Sequence, residues 1–351
     1  MTRSGCQPAT RASRSGRVAW IDAAKAIGIC LVVYGHVARG TVAALGGSPP
    51  PALATADSVI YSFHMPLFFW LAGLLAVPSS MRRGASGLIA DKLVTIGAPY
   101  LVWSLAQGLL EVWAGEFTNG SVRYADVFAV LWSPRAQFWF LYVLFLCFCL
   151  LAIARHALPR HGVIVLSVAA LVLYLGHDSW HGLWILPPLA RSLVYFCLGA
   201  LCGPLLARDR AAPGPATLLL AMATFAAAQF AYHEFFGLRG DDYGSAALLL
   251  GSLSIASVVI AARCLIGLAP RALAVVGEAS MAIYVMHVIV AAGLRVFLTR
   301  VAGIDSYAIN LVLGVAAGVA VPLLVCRLAE GGHWRGLPGA ALGIGRRAAA
   351  R

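Results

Sequence analysis

Two residues in one apolar segment, Lys25 and His36, have types and spacing suited to chemistry. Eleven residues at roughly 3.6 per turn bring both side chains to one helix face, about 16 Å apart along the axis. A neutral imidazole suits proton abstraction from a hydroxyl, and a cation in low dielectric can hold an anion or polarise a carbonyl. Asp22 leaves an alternative open, a local ion pair with Lys25 at the membrane edge.

Two further histidines, His64 and His287, also lie in apolar segments. Pro66 follows His64 and is expected to kink its helix, which frees backbone groups that protein or a water-filled cavity must satisfy. His64 therefore either lines a polar cavity at the depth of His36 or satisfies the kinked backbone. Titratable residues inside spans are expensive, so each is a functional candidate.

The late segment that carries His287 also carries polar neighbours at helical spacing. Ser280, Tyr284 and His287 recur at i, i+4 and i+7, which predicts one shared face. Glu278 is expected about half a turn round from His287. Tyr284 has the alternative interpretation of a buried aromatic residue with a satisfied hydroxyl.

The elements that must position these residues are membrane helices. Apolar residues make up 61% of the chain and charged residues 11%, which excludes a soluble globule. Apolar runs of about 20 residues match the length that crosses a bilayer. We therefore predict an all-α polytopic membrane helix bundle of about ten transmembrane helices, at 18–41, 56–78, 90–114, 136–157, 163–176, 189–206, 215–235, 245–267, 272–297 and 307–328.

The net charge of +12 is interpreted as a topology signal, and no nucleic-acid partner is predicted. Basic residues concentrate in alternate loops, beginning with the N-terminal arginines. This bias places the N- and C-termini in the cytoplasm and adds attraction to anionic membrane lipid. The residues assigned to the cytoplasmic side include Arg3, Arg11, Arg14, Arg17, Arg82, Arg83, Lys92, Arg155, Arg160, Arg263 and Arg327.

Three regions are expected along the chain. Residues 1–17 form a basic, disordered lead, 18–330 form one membrane domain, and 331–351 form a flexible cytoplasmic tail. The eight cysteines are isolated, so neither a disulfide framework nor a metal site is predicted. The outer loops 176–181 and 232–243 are interpreted as solvated, with contact to a sugar as the alternative.

Several ordered motifs resemble those of the acyltransferase-3 family of integral-membrane O-acyltransferases, in particular its sugar O-acetylase branch related to fucose 4-O-acetylase. The motifs follow one another along nearly the whole chain. They are Ile21-Asp22-x-x-Lys25-x-x-Gly28-Ile29-x-x-Val32-Val33-x-Gly35-His36, Phe63-His64-Met65-Pro66-Leu67-Phe68-Phe69, Pro99-Tyr100-Leu101-Val102-Trp103, Phe138-Trp139-Phe140-Leu141-Tyr142 and Gly277-Glu278-x-Ser280-Met281-Ala282-Ile283-Tyr284-x-x-His287.

The resemblance implies a multi-pass acetyltransferase of the bacterial inner membrane. The expected donor is acetyl-CoA or another acyl-CoA, used as a substrate with no bound cofactor. The expected acceptor is a lipid-linked or nascent polysaccharide, such as an exopolysaccharide. The family enters its third helix through basic residues, so Lys92, Arg82 and Arg83 are candidates for donor binding.

Roles for the site residues follow from position and chemistry. His36 is assigned as the general base, and Lys25 holds the anionic donor or polarises its thioester. His64 and His287 are expected to line the cavity, orient His36 or stabilise the oxyanion. In a variant of the mechanism, the acyl group pauses on His36. Lys25 stands where much of the family has arginine, and lysine lacks the planar fork that grips an anion.

Two other classes of function remain open at this point. One is a transporter or flippase that moves a lipid-linked sugar and uses the histidines as a proton relay. The other is a catalytically silent membrane partner of a polysaccharide assembly complex. The sequence shows no inverted repeat of the kind that many transporters carry.

Overall fold

The described part of the chain is mostly helical. The computed structural model describes residues 19–46, 49–115, 122–180, 184–208 and 213–330, with Gly339 and Gly343. These residues contain no strand, which confirms the predicted all-α class. The predicted lead 1–17 and nearly all of the predicted tail 331–351 lie outside them.

The helices follow the apolar runs of the sequence. Short 3₁₀ segments occur at Ala129–Leu131, Ala136–Phe138 and His177–Trp180, and π-helical turns at Leu93–Gly97, Ala231–Phe235 and Phe297–Val301. The α-helices are α1 Ala19–Leu45, α2 Pro51–Tyr61, α3 His64–Lys92, α4 Ala98–Ala114, α5 Tyr124–Phe128, α6 Trp139–Ala157, α7 Gly162–Leu175, α8 Leu186–Arg208, α9 Pro215–Phe230, α10 Ser245–Leu265, α11 Pro270–Glu278, α12 Ser280–Val296 and α13 Tyr307–Glu330.

Eight helical segments of the described chain are long and apolar enough to cross a membrane. One of them, Pro51–Ala114, is 64 residues long, whereas a single crossing needs about 20. Helix α7 is apolar but has only 14 residues, in line with the short span predicted there. The polytopic bundle is thus confirmed, while the number of ten crossings and the side of each terminus stay predictions.

The predicted kink at Pro66 is replaced by a break just before it. Helix α2 ends at Tyr61, a turn follows at Ser62–Phe63, and α3 begins at His64. Pro66 therefore lies in the first turn of α3, where backbone N–H groups have no partner inside the helix. The prediction of one helix over 56–78 was wrong because a proline is better accommodated at a helix start than within a helix.

The predicted single helix over 272–297 is also broken. Helix α11 ends at Glu278, Ala279 adopts φ −86° and ψ 3°, and α12 begins at Ser280. Glu278 is therefore not on the helix of His287, which corrects the predicted placement. At this break Gly277 packs on α1, where an added Cβ would lie 2.0 Å from the carbonyl oxygen of Asp22.

Helix α1 lies at the centre of the packing. It contacts α3, α10, α11, α12 and α13, and most residues of its first two turns are buried. Helices α3 and α8 approach closely at Gly73 and Gly199, whose added Cβ atoms would lie 1.8 Å from Phe196 O and 2.0 Å from Trp70 O. Small residues permit such close approach between membrane helices. The result is a bundle whose buried centre carries the first-helix motif.

Candidate active site

A pair of imidazoles lies inside the bundle. His36 of α1 and His287 of α12 have ring centroids 5.2 Å apart. His287 has no exposed surface. The sequence predicted that His64 or His287 could orient His36, and the structure brings His287 to it.

The hydrogen bonds of His287 fix its tautomer. Its Nδ1 lies 3.0 Å from the Ile283 carbonyl oxygen and 2.8 Å from that of Tyr284. A carbonyl only accepts, so Nδ1 carries the proton and Nε2 presents a lone pair. Within the described residues, this buried Nε2 has no hydrogen-bond partner. Nε2 of His287 can therefore accept a hydrogen bond.

His64 satisfies the backbone at the break between α2 and α3. Its Nδ1 lies 2.7 Å from the carbonyl oxygen of Ile60, one turn earlier, and the side chain is almost fully buried. Its ring packs edge-on against Tyr61 at 4.6 Å. The backbone role that the sequence left open is thus present, and Nε2 of His64 keeps a lone pair.

An ion pair near His36 was missed by the sequence reasoning. Arg39 binds both carboxylate oxygens of Asp57, with its Nε 3.0 Å from each and its Nη2 2.8 Å from Oδ2. The guanidinium also lies 3.2 Å from the ring centroid of Tyr61. Arg39 follows His36 by three residues, and residues three apart are neighbours on a helix surface. This spacing could have indicated that Arg39 lies near His36. Asp57 gave no local signal.

Lys25 forms the local pair that the sequence allowed. Its Nζ lies 3.8 Å from Oδ1 of Asp22, and its side chain is 26% exposed while that of Asp22 is 5% exposed. Because Lys25 and His36 belong to one unbroken helix, they remain about 16 Å apart along it. The two residues therefore form separate parts of the site.

The basic candidates for donor binding are brought together by an acidic residue. Asp91 lies 3.4 Å from Nη2 of Arg83 and 3.1 Å from Nζ of Lys92. Lys92 also lies 4.8 Å from the ring centroid of Phe148. Arg82 is exposed, next to a helix break at Gly84 with φ 70°. Arg83 and Lys92 thus share Asp91 as an ion-pair partner, and both Arg82 and Arg83 are exposed.

The remaining predicted residues are divided between two helices. Tyr284 donates its hydroxyl hydrogen to the backbone carbonyl of Gln137, and its ring lies 6.1 Å from that of His287. Ser280 begins α12, one turn before Tyr284. Trp139 begins α6 and lies 6.4 Å from Phe69. The buried, satisfied hydroxyl of Tyr284 matches the structural alternative stated for it.

A buried polar network holds the segment that Tyr284 contacts. Gln137 Nε2 donates to Gln107 Oε1 at 2.7 Å, and Gln107 Nε2 donates to Glu111 Oε1 at 2.8 Å. Glu111 in turn pairs with Arg135. The sequence reasoning missed this network, although the i, i+4 spacing of Gln107 and Glu111 in an apolar run was a signal.

The loop between α9 and α10 is anchored, in contrast to the predicted solvated loop. Ser58 Oγ accepts the Gly240 N–H at 2.9 Å and lies 2.9 Å from Nε2 of His233. Arg191 donates to the Asp241 carbonyl at 3.0 Å and to that of Gly240. The other loop also touches it, since His177 stacks on Tyr243 at 4.7 Å, while His181 lies outside the described residues.

The bundle consists of apolar helices long enough to span a membrane. They surround buried imidazole, amide and hydroxyl side chains, so the chain is a polytopic membrane protein with an internal polar site. The chain belongs to the acyltransferase-3 family, because the family's acyltransferase-domain model matches residues 18–329. The chain is therefore a multi-pass membrane protein that carries an acyltransferase-3 domain.

Two curated relatives share part of the chain. The nodulation protein NolL of Mesorhizobium japonicum is 25% identical over 180 residues, which cover 51% of this chain and 46% of that protein. NolL of Sinorhizobium fredii is 28% identical over 192 residues, 54% of this chain and 50% of that protein. The chain thus aligns with about half the length of these relatives. No solved structure matches it.

Proposed function

We propose that this acyltransferase moves an acetyl group from cytoplasmic acetyl-CoA to a hydroxyl of a saccharide at the outer face of a bacterial inner membrane. The acceptor is a lipid-linked or nascent polysaccharide. The observation that carries the proposal is the contact of the partly buried His36 with the fully buried His287, whose tautomer leaves Nε2 as an acceptor. Basic residues in alternate loops support the orientation.

The chemical step begins with the acceptor hydroxyl. His36 takes its proton while the oxygen attacks the thioester carbonyl carbon, and the carbon–sulfur bond breaks as the new ester forms. The CoA thiolate leaves and takes up the proton that His36 gives back, so the imidazole returns to its neutral form. A positioned imidazole base contributes typically about 10²–10⁴ in rate. The products are the acylated saccharide and free CoA.

His287 acts on His36 as a positioning residue. Nε2 of His287 acts only as a hydrogen-bond acceptor. If one ring nitrogen of His36 donates its N–H to this Nε2, the other ring nitrogen of the neutral His36 carries a lone pair. The hydroxyl proton then goes to that lone pair. The positive charge that develops on His36 is stabilised by the lone pair of His287 in a low-dielectric setting.

The donor is assigned to the Lys25 end of α1. The partly exposed ammonium can meet the anionic groups of acyl-CoA, although Asp22 competes for it. Arg83 and Lys92, which share Asp91, and the exposed Arg82 supply further positive charge. Family membership supports this enzymatic function over the transporter or flippase alternative.

The test is transfer of radiolabelled acetyl from acetyl-CoA to glycan in membranes that contain this protein. We expect label in the glycan with the wild-type chain and a loss of about 10²-fold or more with His36→Ala. His161→Ala is the matched control, because His161 is an exposed histidine. Label transfer by His36→Ala at the wild-type rate, with equal protein in the membrane, would contradict the assignment of the base.

A further inference from the structure

A pocket of about 100 Å³ lies where the starts of α3 and α6 meet α8 and the anchored loop. A concave lining of aromatic and apolar side chains with a few polar groups is typical of small-molecule sites. The aromatic and polar parts of its wall are formed by Tyr61, Phe69, Trp139, Arg191, Gly240 and Asp241.

Aromatic rings form one part of the wall. Phe69 and Trp139 have centroids 6.4 Å apart with an interplanar angle of 31°, and Tyr61 completes the aromatic lining. Such rings offer large rigid apolar faces, and the Tyr and Trp rings add a polar tip. The C–H face of a sugar ring is apolar and flat enough to pack on them, while its hydroxyls remain free for hydrogen bonds.

Arg191 supplies the polar part of the wall. Two of its N–H groups are directed to the carbonyls of Gly240 and Asp241, and its guanidinium carbon lies 5.0 Å from the ring centroid of Tyr243. Among the described residues, no carboxylate lies within ion-pair distance of it. An arginine has five N–H donors, so donors remain for a ligand. Asp241 adds an exposed acidic group.

The pocket adjoins the histidine site through Tyr61. The Tyr61 ring lies 4.6 Å from His64 and under the guanidinium of Arg39. It also packs on Gly35, whose added Cβ would lie 3.2 Å from the ring. Gly35 precedes His36, so one wall of the pocket touches the turn of α1 that carries the base.

We propose that this pocket is the acceptor subsite, which holds one saccharide unit between the aromatic wall and Arg191. The inference rests on the proposed function, whose acceptor it places. A sugar ring packs against Trp139, and Arg191 donates to its oxygens. These oxygens belong either to hydroxyls of a neutral sugar or to the carboxylate of an acidic one, and binding of the two kinds distinguishes them.

The test measures binding and turnover of the full chain in lipid nanodiscs. The probes for saturation-transfer NMR are methyl β-glucoside, methyl β-galactoside, methyl α-fucoside and glucuronic acid, with the acyclic sorbitol as the control for ring packing. The variants are Trp139→Ala and Arg191→Gln, and the matched control is Arg300→Gln, an exposed arginine outside the pocket. Thermal unfolding of each variant verifies its fold.

We expect at least one cyclic probe to bind more tightly than sorbitol. Trp139→Ala and Arg191→Gln weaken that probe about tenfold or more, and acetyl-CoA binding stays as in wild type. A larger loss for glucuronic acid than for neutral glycosides in Arg191→Gln assigns an acidic acceptor, and equal losses assign a neutral one. Wild-type binding by both folded variants overturns the subsite, as does failure of every cyclic probe to bind the wild-type protein.

The two proposals fail in different ways. If the wild-type protein binds glycosides at this pocket but transfers no acetyl from acetyl-CoA, the proposed function fails and the saccharide site stands. If acetyl transfer occurs and the KM for a glycan acceptor is unchanged in both variants, the function stands and the subsite fails. Arg300→Gln must match the wild-type protein in every measurement.

Discussion

The imidazole rings of His36 and His287 lie 5.2 Å apart, although one residue belongs to the first long helix and the other to a helix near the end of the chain. The hydrogen bonds from Nδ1 of His287 to the carbonyls of Ile283 and Tyr284 leave its Nε2 as an acceptor inside the bundle. His36 is thus the proposed base, and His287 is the residue that positions it through Nε2.

His287→Asn is expected to lower kcat about 10²-fold while the KM for acetyl-CoA stays unchanged. The asparagine amide can still donate to the helix carbonyls, but it offers no lone pair at the Nε2 position. Steady-state kinetics of acetyl transfer measure the effect, and His161→Asn, at an exposed histidine, is the control. An unchanged kcat would show that Nε2 of His287 has no part in the reaction.

Lys25→Met is expected to raise the KM for acetyl-CoA about tenfold or more, whereas Lys25→Arg keeps most donor use. The reason is the fixed positive charge, which methionine removes and arginine retains. Acetyl-CoA titrations of the two variants measure this. If both variants match the wild-type protein, the charge of Lys25 has no part in donor binding.

Gly277→Ala is expected to destabilise the fold by about 1–3 kcal/mol. The new Cβ would lie 2.0 Å from the carbonyl oxygen of Asp22, and a helix backbone cannot move away as a flexible side chain can. Gly293→Ala is the matched control, because no atom of the described residues lies within 4 Å of its added Cβ. Thermal unfolding in nanodiscs compares the two, and equal stability of both variants would contradict the close contact.

Glu111→Gln is expected to destabilise the protein by about 1–3 kcal/mol, because Arg135 would lose its carboxylate partner in a largely buried position. The double variant Glu111→Gln with Arg135→Met should recover much of this loss, since the unpaired charge is gone. Thermal unfolding of the single and double variants forms the test. If the double variant is less stable than Glu111→Gln alone, the explanation by an unpaired charge is wrong.

Much of the secondary structure could be predicted from the sequence, because chain length and apolar runs are local properties. The helices, the short α7 and the possible pair of Asp22 with Lys25 all depend on residues within a few turns. One break was placed at Pro66 instead of before it, and the break at Ala279 was missed. Pro66 could occupy a helix interior or a helix start, and the break at Ala279 accompanies the contact of Gly277 with Asp22 on another helix.

The candidate site likewise has features that depend on local sequence and features that depend on contacts between distant segments. The sequence by itself identified the histidines and determined that Lys25 and His36 share one helix face, because helical periodicity fixes which residues of a segment lie together. Only the tertiary structure decided that His287 meets His36, that Gln107 meets Gln137, and that the loop with Gly240 is fastened to Ser58. In lipid, many apolar helix faces fit one another, so the choice of partners depends on close packing at small residues and on distant hydrogen bonds.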